Sequence, residues 1–512
     1  MNPVETRAAI SAAILLFGVP ASTASLADVI ISSAATKNII CANGVCTPTA
    51  RDAVLNAGDL QSLLASGNVE VTTTGSAVQA TNIRIDASFS WSTSSVLALD
   101  AYESIRVEKP VANSGPGGLT ITTNDGGSGG TLWFAPKGNI TFADPASVLM
   151  INTTSYTLLT TLPALANAIA ANPFGAYALA NGYNAGQDGV YQSCPIATPF
   201  KGQFEGLGNS ILDLAINDPV DASVGLFALL ESGAIRDVRV MHAKITATAS
   251  AVVGALSAFN DKGIVSGSQS SGAVSATGWY SDVGGLVGVS GGGHKGNRGE
   301  IVDSSSAAIV TGGFEASAGG LVGGAGDLIL RSRATGSVSA GTDGFAGGLV
   351  GQSGGLSLIE QSYATGTVTV GNWDGAAQWN PGVGGLVGLG FGRMTNSYAT
   401  GDVSGGQQTN VGGLVGQSSR RSSASTYSIG APTGGAGSFV GGVVGSGLGR
   451  GYWDTTTSRT NKGIGGKNVR QIVGLTSKEL RSGLPLDFDP AIWAEKKSLN
   501  RGFPYLIANP PQ

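Results

Sequence analysis

The hexapeptide VGGLVG begins at Val283, at Val383 and, within VGGLVGQ, at Val411; AGGLVG begins at Ala318 and Ala346, and VGGVVG at Val440. Weaker forms are VGLFAL from Val224 and VGALSA from Val253. The fourth residues, Phe227, Leu256, Leu286, Leu321, Leu349, Leu386, Leu414 and Val443, succeed one another at 29, 30, 35, 28, 37, 28 and 29 residues. A unit of that length cannot bury a core alone. Its recurrence predicts stacked neighbours in a solenoid rather than a compact globule.

A second motif lies between these landmarks. SRATGSV runs from Ser332, SYATGTV from Ser362 and SYATGDV from Ser397, with weaker forms SQSSGAV at Ser268 and SSSAAIV at Ser304. The two long steps are ordinary repeats with insertions, GGGHKGNRGE (291–300) and GNWDGAAQWNPG (371–382). Glycine supplies 81 of 512 residues and charged residues only 12%. That much glycine would be costly in helix pairs, so each repeat is read as one turn of a wound β-chain. Coils stacked about 4.8 Å apart would align equivalent residues in columns. Leu286, Leu321, Leu349, Leu386 and Leu414 form one inward column and Val338, Val368 and Val403 another. Tyr363, Tyr398 and Tyr427 form an aromatic ladder, and Asp303, Arg331, Gln361 and Asn396 a polar one.

The rest of the chain divides around this array. Residues 1–27 read as an export signal, with Arg7 ahead of AAISAAILLFGVP and small residues after it. No later run is long enough to span a bilayer, so a mature chain without a transmembrane segment is expected. Residues 28–150 alternate strand-like runs such as NIRIDASFSW and GTLWFAP with turns, forming irregular coils or an N-terminal cap, with one short helix at 57–67. Residues 151–223 begin with a helical interlude, 156–171, in which Pro163 opens the main helix, and continue into lead-in coils. The repeats occupy 224–449. In 450–512 charge becomes denser, TSKEL at 476–480 fits a capping box, and Trp453, Trp493 and Tyr505 would anchor a C-terminal cap over exposed strand edges.

The VGGLVG and SYATG units resemble the GLUG repeat of bacterial surface proteins, especially the filamentous-haemagglutinin-like exported proteins. AYALANGYNAG and PFKGQFEGLGNSILDLAI are similar to the segment that introduces such repeats, and GYWDTTTS (451–458) to the segment that commonly comes after them. The resemblance implies an all-β, right-handed parallel β-helix of about 28–30-residue coils at the cell surface or outside the cell, the periplasm being the alternative. It carries no catalytic residues.

Candidate chemistry is sparse. The two histidines, His242 and His294, are too far apart in sequence for an HExxH zinc site. A net charge of −4 offers no basic footprint for nucleic acid. A β-helix lyase or glycosidase would need convergent carboxylates. The nearest cluster is Asp237 between Arg236 and Arg239, which is read as solvated strand faces. No catalytic residue, metal or cofactor is expected, and the chain is expected not to be an enzyme.

Binding is the stronger expectation. The insertion 371–382 offers Trp373, Asp374, Trp379 and Asn380 to a glycan or a protein partner, unless the tryptophans fold back onto the solenoid. The other insertion, with His294, Lys295 and Arg298, reads as a solvated loop. Cys41 and Cys46 enclose the turn ANGV as a local disulfide or as two thiols, and Cys194 is left over. The function expected is that of an adhesin binding glycan or matrix ligands multivalently. Polysaccharide-active enzyme and self-associating matrix component are the alternatives.

Overall fold

Each VGGLVG unit is a corner between two short strands, as in Asn410–Gly412 and Val415–Ser418. Val411 and Leu414 point into the core. A Cβ on Gly413 would strike the Gly442 carbonyl of the next coil, and one on Gly416 would stand 2.6 Å from the Gly388 carbonyl oxygen. The coils therefore approach closely only because both positions lack a side chain. The corner leucines are joined from coil to coil: the Leu349 N–H donates to the Leu386 carbonyl at 2.9 Å, and Leu386 to Leu414 at 2.9 Å. Each fully buried leucine contributes about 1.5–3 kcal/mol of apolar burial.

The computed structural model describes residues 27–76, 78–291, 299–375, 377, 379–419, 423–465 and 469–511. The expected export segment lies outside them except for Ala27. The described chain is nearly all β, built from long parallel sheets in a β-helix-like stack. In the repeats, one eight-stranded sheet runs from Ser223–Val224 to Phe439–Gly441 and a second from Phe227–Glu231 to Val444–Gly447. A longer, bent third face carries an in-register column of Ile235, Val265, Ile301, Ile329 and Ile359. Tyr363, Tyr398 and Tyr427 stack on this face with centroids 4.8 and 5.0 Å apart. The polar column lies at a left-handed turn of the same face, with φ of 51° at Asp303, 47° at Arg331 and Gln361, and 46° at Asn396.

A first stack precedes the repeats. Its parallel faces include Asn82–Ile85, Ile105–Val107 and Leu132–Phe134; Phe89–Trp91, Val111–Asn113 and Ile140–Phe142; and Val96–Asp100, Gly118–Thr122 and Leu149–Ile151. An antiparallel hairpin, Leu149–Ile151 with Thr154–Leu159, then reverses the chain and starts the second stack. The helix Ala57–Ser66 is capped by the Asn56 side chain. The second helix is Leu162–Ala171, capped by Thr161, so the interlude begins as strand and turns helical only at Leu162, with Pro163 in its first turn.

Trp453 plugs the end of the solenoid core, and Ile464 bridges to Val444. Beyond the capping box at Thr476 and Glu479, the chain does not stay at the end but folds back along the tyrosine face. Trp493–Ala494 pairs with Tyr505–Leu506. The Trp493 indole N–H donates to Asn396 Oδ1 at 3.2 Å, the Tyr427 hydroxyl to the Pro504 carbonyl at 2.6 Å, and Asn509 Nδ2 to the carbonyls of Gln361 and Ser332 at 3.1 and 3.2 Å. This strap crosses several coils and buries the tyrosine ladder.

Candidate functional site

The insertion 371–382 is tied to its neighbours. Trp373 donates its backbone N–H to the Gln407 carbonyl at 3.0 Å and its indole N–H to the Ala377 carbonyl at 3.3 Å. Asn380 Nδ2 donates to the Gln408 carbonyl at 2.9 Å, and the Asp374 N–H to Asp343 Oδ1 at 3.1 Å. Trp379 stands out from this framework with half its surface exposed. It lines a shallow cavity of about 440 Å³ with Tyr280, Asp282, Glu315, Asp343 and Gln352. Tyr280, Glu315 and Asp343 occupy equivalent left-handed corners, with φ of 56°, 51° and 60°. Beside them, Trp279 packs on Phe314 at 5.0 Å. Burial pushes Asp343 up to about 6, and its hydrogen-bonded neighbour Asp374 adds to the shift; burial also raises Asp282, against a Ser317 hydrogen bond. The face thus joins exposed aromatic rings to carboxylates, one of them close to titration near neutrality. Of the four residues expected from the insertion, Trp379 alone lines this cavity; its partners come from other repeats. The loop with His294, Lys295 and Arg298 lies outside the described residues.

A second cavity, of about 410 Å³, lies where the two stacks meet. Thr123, Trp133 and Asn152 of the first stack face Tyr156, Gln203, Glu205, Arg236, Asp237, Gly267 and Asp303. The reading of Asp237 as a solvated strand face is corrected here. Asp237 is not in a strand: it takes the left-handed turn (φ 52°) between Ala234–Arg236 and Arg239–Ala247, and it is only 6% exposed. Strand alternation does not carry through such a turn. Arg239 is also turned inward, its guanidinium donating to the carbonyls of Gly208, Ala135 (2.7 Å) and Gly138 (3.1 Å), which fastens one stack to the other. Arg236 is left as the cation of the cleft. It donates to Gln203 Oε1 at 3.3 Å, and the Tyr156 hydroxyl donates to the same oxygen at 3.0 Å.

Glu205, 3% exposed, accepts a hydrogen bond from the Leu207 N–H at 3.0 Å. Burial holds its carboxyl well above the usual carboxylate range, and Asp237 raises it further. Asp237 is pushed up to about 7, by burial foremost, while Arg236 and Arg239 oppose the shift. Asp303 lies in a two-point ion pair with Arg331, with both N–O distances 2.7 Å. A carboxyl that keeps its proton near neutrality beside one held by an arginine is the arrangement from which acid–base chemistry is built.

Elsewhere, Cys41 and Cys46 face each other across the hairpin Ile39–Ala42 and Val45–Pro48 and are joined as a disulfide. Cys194 is buried, its thiol donating to the Ser223 carbonyl at 3.0 Å. His242 is exposed at a bulge, 3.6 Å from Asp213.

Comparison with known proteins matches the GLUG motif to residues 346–369 and 380–404, so the chain carries GLUG repeats. No curated protein matches. Among solved structures, a candidate immunoglobulin A1 protease from Bacteroides ovatus is similar at 17% identity and a TM-score of 0.39, over 69% of this chain and 93% of its own. An IgA1 protease is similar at 21% identity and a TM-score of 0.40, over 53% of this chain and 21% of its own. The expectation that the chain is not an enzyme is corrected by these neighbours, both described as proteases, and that exclusion is withdrawn. At such identities and TM-scores no activity carries over from them to this chain. Among the described residues, no helix is long and apolar enough to cross a membrane.

Proposed function

We propose that this GLUG-repeat solenoid is an exported adhesin of the filamentous-haemagglutinin-like kind, wound as a right-handed β-helix. It works at the cell surface or outside the cell by binding glycan or matrix ligands multivalently. The observation that carries the reading is the face around Trp379 and Tyr280. Exposed rings suit the C–H faces of sugars, while Asp282, Glu315 and Gln352 beside them accept or donate to hydroxyls. Trp373 and Asn380 support this face by fixing the insertion. A stiff rod that brings many weak contacts to one surface gains strength by avidity.

The test is binding of the chain to an array of glycans and matrix proteins, beside a Trp379→Ala/Tyr280→Ala variant and a Trp373→Ala/Trp379→Ala variant. The reading expects selective binding that both variants lose while the β-sheet circular dichroism is unchanged. A folded wild-type chain that binds nothing on the array, or variants that bind as well as wild type, overturns it.

A further inference from the structure

The left-handed turn column of the long face begins above the residues legible in the sequence. Hydrogen bonds from the N–H of Asp237 to the Ser266 carbonyl, Gly267 to Val302 and Asp303 to Leu330 put Asp237, Gly267 and Asp303 in one line, with φ of 52°, 58° and 51°. Gly267 is the member of this trio without a side chain, and a Cβ there would land on Asp237 Oδ1. The Asp237 carboxyl therefore leans along the column into the space that glycine leaves, towards Asp303. At about 4.8 Å per coil the two aspartate Cα atoms stand roughly 9.6 Å apart. That lean brings the Asp237 carboxyl closer to Asp303 than the Cα atoms are; acid and base carboxyls of inverting glycosidases are separated by about 6.5–9.5 Å.

Two further observations point to a ligand here. The Asp237 carboxyl lines the cavity, is more than nine-tenths buried and accepts no hydrogen bond from any described residue; Arg236 and Arg239 act on it through charge alone. Arg236 faces the same cavity while Arg239 is fully occupied by carbonyls, and Trp133 forms part of the opposite wall. A cation, an aromatic wall and hydroxyl- and amide-bearing Thr123, Asn152 and Gln203 are suited to a sugar that bears a carboxylate.

We propose that the cleft binds a uronic-acid-containing polysaccharide and hydrolyses it with inversion, Asp237 acting as general acid and Asp303 as general base. Arg236 pairs with the uronate carboxylate. Asp237 gives its proton to the glycosidic oxygen, which leaves with the electron pair of the broken bond to the anomeric carbon. The oxygen of a water bonds that carbon from the opposite side, and its proton passes to Asp303. Solvent then returns a proton to Asp237 and takes one from Asp303. Glu205, whose carboxyl burial holds well above the usual range, lines the cleft beside them and can bond a sugar hydroxyl. The acid is active in its protonated form, so the rate holds below the raised Asp237 value and falls as pH climbs through about 7; burial sets this value foremost, Arg236 and Arg239 oppose it and Asp303 adds to it, and Glu205 is the other titratable group beside Asp237.

The experiment incubates the full chain with polygalacturonate, hyaluronan and alginate, with dextran as the uncharged control. It measures reducing ends and follows the first-formed anomer by proton NMR. The proposal expects reducing ends from at least one uronate polymer and none from dextran, with inverted configuration. Asp237→Asn should lower the rate by about a hundredfold or more. Asp303→Asn should be inactive but regain turnover with azide, yielding a glycosyl azide of inverted configuration. Thermal unfolding of both variants checks that they fold, and azide rescue keeps the test decisive should the Asp237 variant not fold. No reducing ends from any uronate polymer, unsaturated ends diagnostic of elimination, or an undiminished rate in a folded Asp237→Asn variant overturns the proposal.

Discussion

Trp493→Ala should open the C-terminal strap while leaving the solenoid closed. Trp493 is 1% exposed, stacks on Phe488 at 4.3 Å and leans on Tyr398 and Tyr427 at 6.0 and 5.9 Å. Removing a buried tryptophan side chain costs about 3–5 kcal/mol, here including the indole bond to Asn396. The strap packs on the outside of one face, and coils of a solenoid answer mainly to their neighbours, so the loss falls on strap docking and not on the stack. At about 1.4 kcal/mol per tenfold, the opening equilibrium rises between about a hundredfold and a few thousandfold. Hydrogen exchange read by mass spectrometry should show peptides from 484–511 exchanging faster by that factor. Peptides around Tyr398, whose N–H stays bonded to the Ser362 carbonyl, and corner peptides spanning 410–416 should keep wild-type protection. Unchanged exchange in the strap, or loss of protection in the corners to the same degree, would refute the assignment of Trp493 as a local anchor.

The packing sets three other outcomes. Gly416→Ala, whose new methyl would sit 2.6 Å from the Gly388 carbonyl oxygen, should lose about 1–3 kcal/mol in urea unfolding. Gly355→Ala, with nothing within 4 Å, should stay within about 0.5 kcal/mol of wild type. Replacing both Cys41 and Cys46 by serine should destabilise the first stack by about 2 kcal/mol, the loop-closure value for so short a ring, seen as earlier unfolding of that stack alone. Burial pushes the Cys194 thiol up to about 11, which lowers its thiolate fraction at neutral or mildly basic pH, so iodoacetamide should label it at least about a hundredfold more slowly than a free cysteine, and unfolding should abolish the difference.

The corners were legible because sterics wrote them into every repeat: a coil that passes within contact of another backbone admits only glycine at Gly413 and Gly416, and the inward position needs a leucine. The tyrosine ladder was legible for the same reason of register. The hairpin that reverses the chain after Ile151 and the return of the strap along the tyrosine face were not legible, since each depends on contacts between segments remote in sequence. The aromatic face was half legible, through Trp379, because Tyr280, Asp282 and Glu315 belong to other coils.

Asp237 is the instructive miss. Strand alternation assumes one extended run from Ile235 onward, whereas a left-handed residue interrupts it and redirects the side chain into the cleft. The signal that would have found it was already present in the polar column Asp303, Arg331, Gln361 and Asn396. Carried back by two coils, that column reaches Gly267 and then Asp237. A ladder of side chains in a solenoid is a stabilising device while it is unbroken. Where one rung is reduced to glycine between two carboxyls, beside a wall supplied by another stack, the upstream carboxyl leans into the gap, and the cavity beside it is where a ligand has room to meet the chain.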